Sequence, residues 1–101
     1  MAVKDLVNNS IDENTVTIFS KSWCPHCKAA KALFEAKYPD VQKKIFELDL
    51  MDEGAEIQNY LYEKTGQRTV PNVFVKKEHI GGNDDTQAAN KSGKLQTLIN
   101  A

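Results

Sequence analysis

The spacing of apolar side chains predicts a chain that begins with a helix and a strand. Within residues 2–9 the apolar side chains recur at helical intervals, and residues 12–14 have the composition of a turn. Residues 15–19 alternate between two faces and consist largely of β-branched and aromatic residues, which is typical of a strand. A second helix is expected to begin near Cys24, because Pro25 suits the first helical position, where its missing N–H is not needed.

The same patterns predict the remaining strands and helices to the end of the chain. Residues 44–50 alternate as a second strand, and Asp52 is expected to cap a third helix that ends at Gly66. Residues 70–76 predict a third strand, and a short fourth strand is expected to open at His79. The last helical region is expected to begin at a capping carboxylate, either Asp84 or Asp85. It is expected to break once, near Ser92-Gly93.

This order of elements, α-β-α-β-α-β-β-α, limits the possible folds. The first two strands should be parallel and joined by a right-handed crossover, and the later hairpin makes a four-stranded mixed sheet. Helices on both faces of that sheet give a three-layer α/β/α sandwich, with residues 1–101 as a single domain. Cys24 then follows the carboxyl end of the first strand, where open α/β sheets place their sites.

Composition and charge exclude several classes of partner. The net charge is −1 and the charged residues of both signs are interspersed, so we expect no nucleic-acid partner. No apolar run approaches the roughly 18 residues of a membrane span, and residues 1–10 lack the apolar core of a secretory signal. The two cysteines, Cys24 and Cys27, close too short a loop to stabilise the fold much as a disulfide. A reducing compartment, the cytosol, is therefore expected.

The C-x-x-C pair has the features of a redox site. Only the thiolate attacks a disulfide, and an ordinary cysteine has a pKa of about 8.5, so the anion must be stabilised. Cys24 lies at a predicted helix N-terminus, the Cys27 thiol can donate a hydrogen bond back to it, and residues 21–34 contain three lysines and no acid. We therefore predict Cys24 as an exposed nucleophile and Cys27 as the resolving thiol, since Cys27 falls on the inward stripe of the helix.

Two other interpretations of the pair remain open at this point. The cysteines could be half of a structural zinc site, but zinc sites need four ligands and only His26 and His79 remain as further nitrogen or sulfur ligands. The cysteines could also be inert thiols. Redox chemistry is the preferred interpretation, because C-x-x-C beside a strand–helix–strand pattern is typical of it.

Three segments resemble the signatures of the dithiol glutaredoxins. They are Lys21-Ser22-Trp23-Cys24-Pro25-His26-Cys27, Gly66-Gln67-Arg68-Thr69-Val70-Pro71 and Gly81-Gly82-Asn83-Asp84-Asp85. The resemblance covers nearly the whole chain and implies a thioredoxin fold. It also implies glutathione as co-substrate, with no tightly bound cofactor and no metal.

The resemblance further implies how glutathione is held. Pro71 would be the cis-proline opposite the active site, and it would turn the Val70 backbone toward glutathione so that the two pair like strands. The γ-glutamyl end would lie at Asn83 and Asp84. The full set of glutathione-binding positions implied in this way is Lys21, Cys24, His26, Gln58, Thr69, Val70, Pro71, Asn83 and Asp84.

Reduction of protein–glutathione mixed disulfides by Cys24, and of protein disulfides by both cysteines, is the activity that this resemblance implies. Electrons would come from NADPH through glutathione reductase, and the protein would act on its client proteins as a monomer. His26 stands where many members have tyrosine and is shared with DsbA-type oxidases, so it is either a cause of a more oxidising potential or a solvated histidine. The rival functions are a thioredoxin, a DsbA-like oxidase, and a carrier in which two chains bridge a [2Fe–2S] cluster.

Overall fold

The computed structural model describes residues 2–101, which form an alternating series of helices and strands. In chain order these are α1 (Val3–Glu13), β1 (Val16–Ser20), α2 (Pro25–Lys37), β2 (Lys43–Glu47), α3 (Gly54–Thr65), β3 (Asn72–Val75), β4 (Glu78–Gly81), α4 (Asn83–Lys91) and α5 (Lys94–Asn100). A single 3₁₀ turn, Leu48–Leu50, separates β2 from α3. Among residues 2–101, no helix is long and apolar enough to cross a membrane.

The four strands form one mixed sheet in the order β2-β1-β3-β4. Strand β1 runs parallel to β2 and antiparallel to β3, and β3 and β4 form an antiparallel hairpin. Together with the helices on its two faces, this sheet confirms the predicted three-layer α/β/α sandwich and the thioredoxin fold.

Each face of the sheet packs against its own hydrophobic cluster, so β1 is buried on both sides. One cluster joins α1 and α3 to the sheet through Val7, Ile11, Phe19, Phe46, Leu48, Ile57, Leu61 and Phe74. The other joins α2, α4 and α5 to it through Val16, Ile18, Leu33, Phe34, Val73, Val75, Ala89 and Leu95. Because all five residues of β1 are buried, the loop that follows β1 is carried by a strand that is packed on both faces.

Two predicted strand boundaries are wrong by two or more residues, the others differ by at most one residue, and the first helix is longer than predicted. Strand β2 ends at Glu47 rather than at residue 50, because the chain turns there: the Met51 N–H donates to the Leu48 carbonyl at 3.3 Å. Strand β3 begins after Pro71, which has no N–H to give to a sheet. Helix α1 runs from Val3–Glu13 and so includes most of the predicted turn.

The predicted helix caps also differ from those observed. Glu53, not Asp52, is the N-cap of α3, and its side chain makes no capping hydrogen bond. Gly54 follows it, and a Cβ at that position would lie 1.9 Å from the Leu48 carbonyl oxygen, so close packing selects glycine there. Helix α4 has Gly82 as its N-cap, although the predicted Asp85 does contribute by accepting the Gly82 N–H at 3.2 Å.

Candidate active site

The sulfur of Cys24 lies at the N-terminus of α2. Cys24 is the N-cap residue, Pro25 takes the first helical position as predicted, and the Cys27 backbone N–H donates to Cys24 Sγ at 3.2 Å. An unpaired helix N–H directed at the sulfur stabilises negative charge on it, and the helix dipole acts in the same direction. The sulfur is therefore placed where a helix N–H can bind the thiolate on which disulfide chemistry depends.

Cys24 is less exposed than the sequence suggested. We expected an exposed nucleophile, but the side chain is only 5% exposed. The reason is the loop before β3, where the Val70 carbonyl oxygen lies 3.9 Å from Cys24 Sγ. The predicted nucleophile is thus covered by the segment that the sequence predicts to bind glutathione.

Cys27 faces the interior, as predicted, and is fully buried. Burial, followed by the hydrogen bond with Cys24, raises the pKa of the Cys27 thiol to about 11, although hydrogen bonds from the Lys21 backbone and the Ser20 hydroxyl act in the opposite direction. Cys27 is therefore a neutral thiol near pH 7. The two cysteines are not disulfide-linked, and they have different surroundings.

A carboxylate from the 3₁₀ turn after β2 fixes the loop that precedes Cys24. Asp49, in the 3₁₀ turn after β2, accepts the Ser22 N–H at 2.9 Å and the Ser22 hydroxyl at 2.5 Å. These bonds, with the hydroxyl first, lower the pKa of Asp49. Sequence reasoning missed this contact, because the two residues are 27 positions apart and neither belongs to a recognisable local pattern.

Replacing Asp49 should loosen this loop. In Asp49→Ala, which removes both acceptors, we expect the Ser22 amide to exchange its hydrogen about tenfold faster, as measured by NMR. Asp49→Asn keeps one acceptor oxygen, so its Ser22 amide exchange rate should lie between those of the wild type and Asp49→Ala. Asp52→Ala removes an exposed carboxylate nearby and serves as the control. Unchanged exchange in Asp49→Ala would mean that the contact does not hold the loop.

A cleft of about 480 Å³ opens between the Cys24 helix, the loop before β3 and the start of α4. It is lined by His26, Gln67, Thr69, Val70, Pro71, Gly82, Asn83, Asp84 and Asp85. Six of the nine glutathione-binding positions that the sequence predicted lie on this lining. The fold therefore brings together three sequence segments that are widely separated along the chain.

Three predicted positions, Lys21, Cys24 and Gln58, do not line the cleft. Lys21 lies beside Trp23, with its Nζ 5.9 Å from the ring centroid, and Trp23 is 64% exposed. Gln58, on α3, donates from Nε2 to the Arg68 carbonyl at 2.6 Å. Lys21 and Gln58 therefore flank the loops around Cys24 from outside the cleft.

The Arg68 side chain points away from the cleft, toward α3. Its guanidinium donates to Asn59 Oδ1 at 3.2 Å and lies 4.6 Å from the Tyr62 ring. Arg68 thus contributes to the edge of the cleft through its backbone, whose carbonyl accepts a hydrogen bond from Gln58.

The segment before β3 contains a contact that sequence reasoning did not single out. The Val70–Pro71 peptide bond is cis, as the resemblance implied. Gln67 Nε2 donates to the Thr69 carbonyl at 3.0 Å and to the Pro71 carbonyl at 2.9 Å. Gln67 belongs to the second of the three signature segments, but its side-chain role could not be predicted from the sequence.

The fold and the site together define a thiol–disulfide oxidoreductase. A cysteine at a helix N-terminus, a buried second thiol three positions on, and a substrate-sized cleft beside them are what thiol–disulfide exchange needs. Within residues 2–101, no group of three or more His, Cys, Asp or Glu side chains is placed to hold a metal ion. The zinc interpretation therefore has no ligand set in this part of the chain.

Comparison with known proteins identifies the family. The family model described as glutaredoxin matches residues 16–80. The chain is 50% identical over 99 residues to glutaredoxin-1 of Rhizophagus irregularis, with 98% of this chain and 96% of that protein covered. It is 48% identical over 99 residues to glutaredoxin-1 of Saccharomyces cerevisiae, covering 96% of this chain and 86% of that one.

A solved structure agrees with this result. The crystal structure of the buckwheat glutaredoxin–glutathione complex superposes with a TM-score of 0.90 and 35% sequence identity, covering 97% of this chain and 87% of that one. The chain therefore belongs to the glutaredoxin family, whose activity is glutathione-dependent thiol–disulfide oxidoreduction.

Proposed function

We propose that this glutaredoxin reduces protein–glutathione mixed disulfides, and also protein disulfides, through Cys24-Pro25-His26-Cys27. One observation carries the proposal: Cys24 Sγ receives a helix N–H at 3.2 Å and also faces the Val70 carbonyl at the cleft. The nucleophile and the backbone that would hold glutathione are thus adjacent. The resemblance of three signature segments supports the same activity.

Mixed disulfides would be reduced by Cys24 alone. The Cys24 thiolate attacks the glutathione sulfur, the disulfide bond breaks, and the client protein leaves as a thiolate that takes up a proton. A second glutathione thiolate then attacks the new Cys24–glutathione disulfide. Glutathione disulfide leaves and the Cys24 thiolate is restored, so that the mixed disulfide and one glutathione thiol are converted into the client thiol and glutathione disulfide.

Glutathione would lie along the cleft, with its cysteine against Val70. The Val70 N–H and C=O would pair with the peptide like an added strand. The N–H groups at the start of α4 and the exposed Asp84 would bind the γ-glutamyl carboxylate and ammonium. Lys21 and Gln58 would bind the glycine carboxylate of glutathione. Thr69, Pro71 and Asn83 would line the binding site, and His26 would form one edge of the cleft.

Protein disulfides would require the second thiol. Cys24 would first attack the client, and the buried Cys27 would then attack the Cys24–client disulfide. The client leaves reduced, and a Cys24–Cys27 disulfide forms. Glutathione would reduce that disulfide in turn.

We also propose the setting in which the protein works. Residues 1–101 would act as a single monomeric domain in the cytosol, where glutathione reductase and NADPH regenerate glutathione. A chain with only two cysteines, three positions apart, fits a reducing compartment.

The test is steady-state reduction of a small glutathione mixed disulfide with glutathione, glutathione reductase and NADPH supplied. Fast consumption of NADPH that depends on both the protein and glutathione is the expected result. No turnover, in a protein that accepts electrons from thioredoxin reductase, would contradict the proposal and place the protein functionally with the thioredoxins. Inactivity with both reductases would direct the next test to cluster binding after anaerobic purification.

A further inference from the structure

We propose that Gln67 is a positioning residue that holds the Val70 backbone in the orientation in which it receives the glutathionyl group. The inference rests on the proposed function, because it assigns a purpose to the pairing of Val70 with glutathione. The observation behind it is that one side-chain amide bonds the carbonyls on both sides of Val70. Gln67 Nε2 lies 3.0 Å from the Thr69 oxygen and 2.9 Å from the Pro71 oxygen.

The three consecutive carbonyls of this segment therefore have different partners. The outer two accept from Gln67, and the middle one, that of Val70, faces Cys24 Sγ at 3.9 Å. With its two neighbouring peptide units held by one side chain, the Val70 peptide has little freedom to rotate. The direction of its carbonyl relative to the sulfur is thereby fixed before any ligand arrives.

A neutral primary amide is suited to this task. It carries two hydrogens on one nitrogen, so it can donate to two acceptors at once, whereas a carboxylate has no hydrogen to donate and a thioether only accepts weakly. Because Gln67 is neutral, it adds no charge close to the thiolate. The side chain is half-buried and lines the cleft, so it lies where a change would affect a bound ligand.

The opposite wall of the cleft leaves room for this arrangement. A Cβ at Gly82 would lie 3.9 Å from Gln67 Nε2 and 3.7 Å from the Pro71 oxygen. Gln67 thus lies between the loop before β3 and the start of α4. Those are the two segments that the proposed function assigns to the cysteine and γ-glutamyl parts of glutathione.

The inference can be tested with two substitutions and one control. Gln67→Met keeps the length of the side chain but removes both donated hydrogens, and Gln67→Glu keeps the shape but directs negative charge at two carbonyl oxygens. Gln96→Met makes the first change at an exposed position on α5. For each variant we would measure kcat/KM for a small glutathione mixed disulfide, the alkylation rate of Cys24 by iodoacetamide, and thermal unfolding.

The positioning role predicts a loss of activity that is confined to the reaction with the glutathione mixed disulfide. We expect kcat/KM to fall about tenfold in Gln67→Met and further in Gln67→Glu. Alkylation of Cys24 should not fall, because iodoacetamide does not pair with the Val70 backbone; it should stay similar to the wild type or rise if the freed loop uncovers the sulfur. Gln96→Met should match the wild type in all three measurements.

Other results would overturn the inference in distinct ways. If kcat/KM in folded Gln67→Met and Gln67→Glu stays within about twofold of the wild type, Gln67 does not position the substrate-binding backbone. If alkylation falls as much as kcat/KM, Gln67 acts on the Cys24 thiolate or on the fold, and the assignment is wrong. Failure of the proposed function would look different, since the wild type itself would then show no turnover.

Discussion

Cys24→Ser is expected to lose glutathione-dependent turnover, with kcat falling on the order of 10³-fold or more. The hydroxyl of serine stays protonated at neutral pH and does not attack a disulfide, so neither proposed route can begin. The steady-state assay with a small glutathione mixed disulfide measures the loss. The magnitude is large because no other described thiol can replace Cys24: Cys27 is fully buried, and its pKa of about 11 keeps it protonated.

The same substitution should leave the fold intact, which makes the result easy to interpret. Cys24 is the N-cap of α2, and serine is one of the preferred N-cap residues because its hydroxyl oxygen can accept the N–H that now reaches the sulfur. Thermal unfolding of Cys24→Ser should therefore lie close to that of the wild type. Substantial turnover by a folded Cys24→Ser protein would refute Cys24 as the nucleophile.

The start of α2 was predictable from the sequence because the determining residues are adjacent. Pro25 suits the first helical position, and an apolar stripe follows it, so the place of Cys24 at a helix N-terminus needed no tertiary information. The parallel direction of the first two strands and the later hairpin followed from the same local patterns. The inward orientation of Cys27 likewise follows from helical spacing.

The contacts that refine the site could not be predicted in this way. Asp49 binds Ser22 across 27 positions, and its alternation with Leu48 and Leu50 suggested a continued strand instead of a turn. The coverage of Cys24 arises from Val70, on a loop whose path depends on packing rather than on local pattern. Side-chain hydrogen bonds between distant segments leave no periodic signal in the sequence, so only the folded chain shows them.

Cys27→Ser is expected to separate the two proposed activities. Reduction of a glutathione mixed disulfide should stay within about threefold of the wild type, whereas reduction of a protein disulfide should fall on the order of 100-fold. The first activity survives because the contact with Cys24 Sγ comes from the backbone N–H of residue 27, which serine keeps. The second is lost because no thiol remains to resolve the Cys24–client disulfide. Parallel assays with a small mixed disulfide and with a disulfide-containing protein measure the two effects.

The control for Cys27→Ser is its stability, since the substitution buries a hydroxyl. The Ser20 hydroxyl and the Lys21 backbone, which lower the pKa of Cys27, are available to bond the new oxygen, so we expect a cost of about 1–2 kcal/mol in the free energy of unfolding. Denaturant titration tests this. Equal loss of both activities in a folded Cys27→Ser protein would contradict the assignment of Cys27 as a resolving thiol only.

The two steps of protein-disulfide reduction should also differ in pH dependence. Burial comes first among the causes that raise the pKa of Cys27, and the hydrogen bond with Cys24 comes second. When Cys24 enters a mixed disulfide, that second cause is removed, while the bonds from Ser20 and Lys21 still favour the Cys27 thiolate. Cys27 therefore becomes easier to deprotonate only after Cys24 has reacted, but burial still keeps its pKa high. We expect the resolving step, followed by stopped flow with a protein disulfide, to accelerate from pH 7 to pH 9, and a pH-independent rate would show that proton loss from Cys27 does not limit that step.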